Sequence, residues 1–305
     1  MATSRRVPPL ALTAFSVAVL LGAANFVAVR ISHQELAPFW GAALRFGLAA
    51  VLFVIFAVIL RLRWPRGRLL ALTAAYGALA FAIPYALMYW ALTLSTAGSA
   101  AVVMAGVPLA TLLLAVAQRL EQLSVRTVAG SVLALGGIAW MVVASQGISA
   151  PPGAVMAMLC ASLAIAQGII LGKRLASNHP IMTNAVAMTF GSGLLIILSA
   201  SANEVWVLPA QPDVAAALVY LVILGSVGLF VLVLLVVRTW TSSASSYMFV
   251  LFPVVTLLLA ALLLKEPVTV PTALGAALVM AGVWFGALAR PTQASPPASQ
   301  AKDRD

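Results

Sequence analysis

The chain of 305 residues is 63% hydrophobic and only 8% charged, which excludes a soluble domain, since such a domain carries about 25% charged residues on its water-facing surface. The net charge of +10 does not indicate a nucleic-acid partner, because the basic residues fall in short clusters between apolar runs instead of on one face or tail. The single cysteine, Cys160, excludes an intrachain disulfide and a cysteine-based metal site.

Ten apolar segments are long enough to cross a bilayer, whose hydrocarbon core of about 30 Å needs about 20 residues of helix. The sequence therefore predicts an all-α integral membrane protein of ten transmembrane helices. The separators are short and mostly polar, and the tail of residues 291–305 is expected to be a disordered cytoplasmic segment. In chain order the segments span residues 8–30, 38–60, 69–91, 97–117, 126–145, 151–172, 181–200, 213–237, 243–263 and 270–289.

The first segment has an alternative interpretation as a secretory signal peptide. Arg5 and Arg6 precede the apolar run, and Gly22, Ala23 and Ala24 resemble a small-residue cleavage site. The run is longer than a typical signal core, and it has a counterpart in the second half of the chain. We therefore interpret it as a transmembrane helix.

The basic residues orient the chain, since short cytoplasmic loops collect Lys and Arg. With the N-terminus inside, nearly all of them fall on the cytoplasmic side, and only Arg30 and Lys265 fall on the opposite side. Arg45 is the one basic residue that lies within an apolar segment, namely the second. This alternation predicts a multi-pass protein of the cell inner (plasma) membrane with both termini cytoplasmic.

The two halves of the sequence repeat each other, which is common among transporters. Residues 108–115 match residues 253–260 at a spacing of 145. Earlier in the chain the matching residues are 142 apart, and three extra residues between the two matching blocks account for the difference. The larger spacing pairs Glu121 with Glu266, Gly130 with Gly275 and Gly137 with Gly282, and the smaller one pairs Asn25 with Gln167 and Pro38 with Pro180.

The repeat predicts the domain organisation. Residues 1–145 form the first five-helix repeat, and residues 146–290 form the second. Because five is odd, the second copy enters the membrane from the opposite side, so the repeat is inverted. Inverted halves allow one site near the midplane to open alternately to either face, which favours a transporter of a small molecule.

Several markers of this sequence are shared with a known group of carriers. They are Gly22 to Phe26 in the first segment, Leu44, Arg45 and Phe46 in the second, Pro108 followed by Glu121, and Pro253 followed by Glu266. With these markers the chain, over residues 10–290, resembles the drug/metabolite transporter superfamily, and specifically its EamA-type ten-helix exporters. Within that superfamily it is most similar to exporters of aromatic and other neutral amino acids. It departs from the family pattern at Leu120 and Lys265, where the family often has Gly, and at the residue before Asn25, where the family often has Trp.

Polar side chains within the bilayer are costly unless they face a cavity or a partner, so each is a candidate for function. Asn25 and Gln167 lie at equivalent depth in the two repeats, and their amides suit the amino and carboxylate groups of a substrate. The alternative is that they bond to each other or to a neighbouring backbone as links between helices.

Two tyrosines in the third segment are also candidates for substrate binding. Tyr85 and Tyr89 share a helix face just after Pro84, a residue that can kink the helix. Two phenols on one face suit an aromatic or amphipathic guest. The alternative is that they belong, with Trp90, to an aromatic belt at the membrane interface. For Tyr89 the belt and the cavity are equally favoured, and for Tyr85, which lies deeper, the cavity is favoured.

The remaining candidates are small or charged. Ser99, Ser246 and Tyr247 complete the predicted substrate-binding set, although small residues also serve close helix packing. A structural role is favoured for Arg45, because an acidic residue such as Glu35 or a helix end would compensate its buried charge. A gating or structural role is assigned to Arg45, Pro84, Pro108, Glu121, Pro253 and Glu266, and the two glutamates are expected to be solvated.

Three other functions are less consistent with the sequence than a transporter. An enzyme is not expected, because no HExxH or GxxxxGK[ST] motif is present and His33 and His179 fall on opposite sides. A receptor would need a soluble domain or long loop, and a carrier of sugar phosphates or nucleotide sugars would need several buried cations besides Arg45.

We expect no cofactor or metal, a lipid bilayer around the chain and no nucleic acid. The oligomeric state stays open, and a monomer is compatible with the sequence.

Overall fold

The structure, a computed structural model, describes residues 9–119, 125–144, 151–175, 178–232 and 242–285. These residues form helices and short connections without any strand, so the predicted all-α integral membrane fold is confirmed. Glu121 and the tail of residues 291–305 lie outside the described residues. For Ser246 and Tyr247 only the backbone is described.

Each of the ten predicted segments corresponds to a helix within the described ranges. Seven of them are long and apolar enough to cross a membrane, and the apolar stretches of the other three, Val128–Trp140, Leu251–Leu263 and Val270–Val283, are shorter. The helices are α1 (Pro9–Ser32), α2 (Pro38–Ile59), α3 (Arg68–Leu94), α4 (Ala97–Ala117), α5 (Val125–Ala144), α6 (Pro152–Arg174), α7 (Pro180–Ser201), α8 (Pro212–Leu232), α9 (Ser242–Leu263) and α10 (Val270–Val283).

Equivalent helices of the two halves have equivalent shapes. Both α2 and α7 have 22 residues and begin with a proline, which fits the first turn of a helix because proline lacks the N–H that has no partner there. Both α3 and α8 contain a π-helical segment, Ala78–Ala82 in α3 and Ile223–Gly228 in α8. The starts of these segments are 145 residues apart, which is the spacing of the sequence repeat.

The backbone conformation at helix ends repeats as well. Among the described residues, four that are not glycine have positive φ: Arg61 at 51°, Arg119 at 58°, Asn203 at 54° and Lys265 at 54°. Each of them lies two residues past the end of a helix: Arg61 after α2, Arg119 after α4, Asn203 after α7 and Lys265 after α9. Glycine is common in this conformation because it has no Cβ. Lys265 therefore adopts, with some strain, a backbone conformation that favours glycine.

The helices of the two halves interlock. Helix α1 packs on α8 and α9 of the second half, and its counterpart α6 packs on α3 and α4 of the first half. Helix α2 packs on α7, and α5 packs on α10. This reciprocal pattern is what a twofold relation between equivalent halves requires. The inversion of the second half stays a prediction.

Two glycines hold α5 against α10. A Cβ on Gly137 would lie 2.9 Å from the Gly275 carbonyl oxygen and 2.7 Å from Leu278 Cβ. On the other helix, a Cβ on Gly282 would lie 2.6 Å from the Gly130 carbonyl oxygen. Since Gly137 and Gly282 are repeat equivalents, as are Gly130 and Gly275, the two contacts mirror each other.

We expect Gly137→Ala to destabilise the folded protein by about 1–3 kcal/mol, the usual effect of an extra methyl group in a packed interface. The neighbouring glycine is a matched control, because a Cβ on Gly136 would meet no atom within 4 Å. Gly136→Ala should be neutral or slightly stabilising, since alanine favours a helix by about 1 kcal/mol over glycine. Thermal unfolding in detergent measures both variants, and equal effects would contradict the tight crossing.

Candidate functional site

A buried polar cluster lies where α2 meets the π-helical segment of α8. Arg45 of α2 is 0% exposed. Its Nε donates to Ser226 Oγ over 3.0 Å, its Nη2 to the Gly225 carbonyl oxygen over 2.9 Å, and its Nη1 to the Tyr89 hydroxyl over 3.5 Å. Glu35, which the sequence offered as a partner for Arg45, instead accepts from the backbone N–H groups of Ala210 and Gln211.

Aromatic rings flank the guanidinium group. Arg45 Cζ lies 5.0 Å from the centre of the Phe46 ring and 5.2 Å from that of the Tyr85 ring. These distances are within the range of cation–π attraction, which strengthens when the pair is removed from water. The two rings also contact each other edge to face at 4.5 Å. The cluster therefore combines a cation with an aromatic surface.

Asn25 of α1 joins the cluster through the same carbonyl group. Its Nδ2 donates to the Gly225 oxygen over 3.1 Å, and a carbonyl oxygen has lone pairs for both this bond and the one from Arg45. Asn25 is 8% exposed, and its Oδ1 is buried without a donor among the described residues. That oxygen lies directly against Gly225, where any Cβ would collide with it.

Two residues that the sequence interpretation missed also tie α1 to the second half. Tyr220 of α8 donates its hydroxyl to the Leu21 carbonyl oxygen over 2.8 Å, and Thr256 of α9 donates to the Ala23 carbonyl oxygen over 3.1 Å. Thr256 belongs to the repeated Pro-x-x-Thr pattern, so its polarity within an apolar helix was a usable signal. Tyr220 had no such pattern.

The two predicted tyrosines differ in exposure. Tyr89 is 0% exposed, so the interfacial belt is wrong for it, whereas the neighbouring Trp90 is 39% exposed and suits a belt. Tyr85 is half-buried beside Arg45. The irregularity of α3 lies in the π-helical segment Ala78–Ala82, just before Pro84.

Asn25 and Gln167 do not bond to each other. Gln167 of α6 accepts from Gln118 Nε2, at the end of α4, over 2.7 Å. Next to it, the Cβ position of Gly168 is 3.3 Å from the carbonyl oxygen of Leu79 in the π-helical segment of α3. The two amides thus lie near equivalent π-helical segments in opposite halves, which follows from the interlocked packing.

The remaining candidates have structural surroundings. Ser99 is buried in the first turn of α4, where its backbone N–H donates to the capping Thr96 hydroxyl over 3.1 Å. Helix α4 is interrupted between Met104 and Val107, directly before Pro108. Pro253 lies inside α9. These positions shape helices, and their predicted roles in binding or gating stay predictions.

Glu266 is not solvated, contrary to the sequence interpretation. Its side chain is 14% exposed and lies 3.6 Å from Arg30 Nε. Both carboxylate oxygens accept from the Ala97 backbone N–H at the start of α4, over 3.3 and 3.1 Å, where a helix N-terminus favours negative charge. Arg30 also donates to the Leu92 carbonyl oxygen over 3.0 Å. We call these contacts of Arg30 and Glu266 the outer clamp.

Glu204 forms a second link on the same face. It accepts from the backbone N–H groups of Phe39 and Trp40, at the start of α2, over 3.1 and 2.7 Å. The Trp40 ring stacks on Trp206 at 5.0 Å. The connections before α2, α4, α8 and α10 therefore share one face, as the alternation of ten helices requires. That this face is outside stays a prediction.

His33 directly follows α1, and its ring nitrogens are buried without a hydrogen-bond partner within the described ranges. Its ring meets the Tyr89 ring edge to face at 5.5 Å. Burial, and secondarily the positive charge of Arg30, lower the pKa of His33 to about 4. The imidazole is therefore neutral at pH 7 in this conformation.

Acidification should destabilise this conformation through His33. The unfolded chain takes up a proton near the ordinary histidine pKa of 6.5 and the folded chain only near 4, so stability is full above pH 6.5 and falls as the pH approaches 4. Between pH 7 and pH 5 the loss is about 2 kcal/mol. Melting temperatures in detergent at both pH values should show a decrease that His33→Asn reduces. An equal decrease in both proteins would contradict the assignment.

Comparison with known proteins gives consistent matches over the whole membrane region. The EamA-like transporter family matches twice, over residues 9–143 and over residues 152–287. An uncharacterized transporter of Archaeoglobus fulgidus is 25% identical over 262 residues, covering 85% of this chain and 92% of that protein. A crystal structure of a protein at 17% identity superimposes with a TM-score of 0.65 over 92% of this chain and 99% of the other, and this likeness concerns the fold alone.

Proposed function

Because this chain belongs to the EamA-like transporter family, we propose that it exports small amphipathic metabolites, namely aromatic and other neutral amino acids, by alternating access between its two halves. The family makes the chain a multi-pass membrane transporter, and the inner membrane with both termini cytoplasmic is its proposed setting. The choice of substrate is argued from the polar cluster.

The observation that carries the substrate proposal is the unsatisfied Oδ1 of Asn25. A buried acceptor without a donor costs about 1–3 kcal/mol, and an ammonium group would relieve that cost. Next to Asn25, Arg45 supplies N–H donors suited to a carboxylate. Tyr85 and Phe46 supply aromatic surface. These are the three kinds of contact that an amino acid with an apolar side chain needs.

The charge of the cluster favours a substrate with one negative group. Arg45 is the only charged side chain that is fully buried in the described part of the chain. A sugar phosphate or a nucleotide sugar would bring two or more negative charges and needs several cations in the site. The cluster therefore fits a single carboxylate better than a phosphate ester.

No carboxylate lies in the middle of a described helix to couple transport to protons. Glu35, Glu204 and Glu266 are in connections between helices, and Asp213 is in the first turn of α8. We propose that the protein works as a facilitator, through which a substrate that accumulates inside leaves along its own gradient. An imposed pH gradient should then change the flux only weakly while both sides stay above pH 6.5, where His33 is neutral.

The purified protein in liposomes, challenged with labelled amino acids, sugars and nucleotides, tests this function. Uptake of aromatic or other neutral amino acids is expected, without accumulation when a pH gradient of about two units, worth about 2.7 kcal/mol per proton, is imposed. Tyr85→Ala and Gln167→Ala should reduce uptake more than folded yield, and Tyr85→Phe should keep most activity. Transport of none of the panel would refute the proposal, and accumulation driven by pH alone would refute facilitation.

A further inference from the structure

The charge of Arg45 has no acidic partner among the described residues. Its hydrogen bonds end on neutral acceptors: the Ser226 hydroxyl, the Gly225 carbonyl group and the Tyr89 hydroxyl. Removing a charge from water costs several kcal/mol unless an opposite charge and further hydrogen bonds compensate for it. Neutral acceptors compensate only in part, so the site attracts an anion.

The three glutamates in the described part of the chain are committed elsewhere. Glu35, Glu204 and Glu266 all accept hydrogen bonds from backbone N–H groups at the ends of other helices. Arg45 also does not reach water at the interface, since it is 0% exposed and lies seven residues, or about 10 Å, into α2 from Pro38. The compensating anion must therefore come from outside the described protein groups.

The guanidinium group has donors left for such an anion. Arginine carries five N–H groups in a fixed planar fork. Three are directed at the acceptors named above, and the bond to Tyr89, at 3.5 Å, is at the upper limit of hydrogen-bond distance. The remaining two belong to Nη1 and Nη2, the pair of nitrogens that binds a carboxylate with two parallel hydrogen bonds. The rings of Phe46 and Tyr85 keep the fork oriented.

We propose that Arg45 determines specificity by binding the carboxylate of the transported substrate. This inference rests on the proposed function and gives Arg45 a role that the sequence interpretation assigned to structure. Arg45 Nη2 and Asn25 Nδ2 both donate to the Gly225 oxygen, so the carboxylate site adjoins the free Asn25 Oδ1. Adjoining sites for carboxylate and ammonium select an α-amino acid, in which one carbon carries both groups.

Analogues without the carboxylate test the proposal directly. In liposomes, the amino acid of the panel that is transported fastest is compared with its own amide, which keeps the ammonium group and the side chain. The wild-type protein should transport the acid at least tenfold faster than the amide. In Arg45→Met this ratio should fall to about one, and Arg45→Lys, with one charge but no fork, should give an intermediate ratio.

A ratio of rates within one preparation does not depend on the amount of folded protein. Arg30→Met is the matched control, because it removes an arginine of the outer clamp and should leave the ratio unchanged whatever its effect on the rate. An amide transported as fast as the acid by the wild type overturns the role of Arg45 while leaving the proposed function intact. An unchanged ratio in Arg45→Met overturns it as well, and transport of no amino acid overturns the proposed function itself.

Discussion

Gly225→Ala should reduce transport at least tenfold. The new Cβ would collide with Asn25 Oδ1, so either the Asn25 side chain or the π-helical segment of α8 must move. Either movement breaks the bonds through which Asn25 and Arg45 meet on the Gly225 carbonyl group. Initial rates of amino-acid exchange in liposomes, normalised to folded protein, measure the effect.

A second substitution and a control test whether the effect of Gly225→Ala comes from its contact with Asn25. Asn25→Ala removes the atom that the new methyl group would meet, so Gly225→Ala should cost much less stability in that background, as contacting residues are expected to be non-additive. Gly193→Ala on α7 is the control, since its Cβ would meet nothing within 4 Å. Additive effects of the two substitutions on thermal stability would show that Asn25 and Gly225 are not in contact.

Glu266→Ala should open the face of the protein that carries the outer clamp. The substitution removes the acceptor of the Ala97 N–H and the partner of Arg30, and the loss of such a helix cap costs about 0.5–2 kcal/mol. Ser95, between α3 and α4, is 4% exposed and would become accessible. A cysteine at Ser95, in a background with Cys160→Ser, should react with a polar thiol reagent about tenfold faster in Glu266→Ala.

The neighbouring Lys265 supplies the matched control for this measurement. Its side chain is exposed, so Lys265→Ala should leave the reactivity of the cysteine unchanged. Arg30→Gln should increase it in the same direction as Glu266→Ala, because both residues belong to the outer clamp. A cysteine equally protected in all variants would show that the clamp does not close this face.

The helices were predictable because bilayer thickness fixes their length and proline marks several of their starts. The π-helical segments were not, since Ala78–Ala82 is as apolar as the α-helix around it, and the two glycines of Ile223–Gly228 do not by themselves indicate a π-helix. Their importance becomes visible only through a partner 200 residues away in the sequence, as between Asn25 and Gly225. Single-sequence patterns carry no information on such a contact.

The residues of the candidate site were also predictable only in part, because their partners are set by tertiary contacts. The register of the repeat was enough to single out Asn25 and Gln167, but it did not reveal that they bond to different elements. Glu266 was expected in water because it lies at the end of a helix. Tertiary packing brings the start of α4 to it instead, and the free N–H of Ala97 makes burial of the carboxylate favourable.

The interlocked packing also imposes a waiting time during synthesis. Asn25 of α1 is made long before Gly225 of α8, and the two are separated by 200 residues. At about 5–20 residues per second, the first helix stays in the membrane for about 10–40 s before its partner emerges from the ribosome. During that interval its polar amide must be shielded by lipid head groups, by water or by the insertion machinery. The ribosome therefore completes most of the chain before the buried polar cluster can assemble.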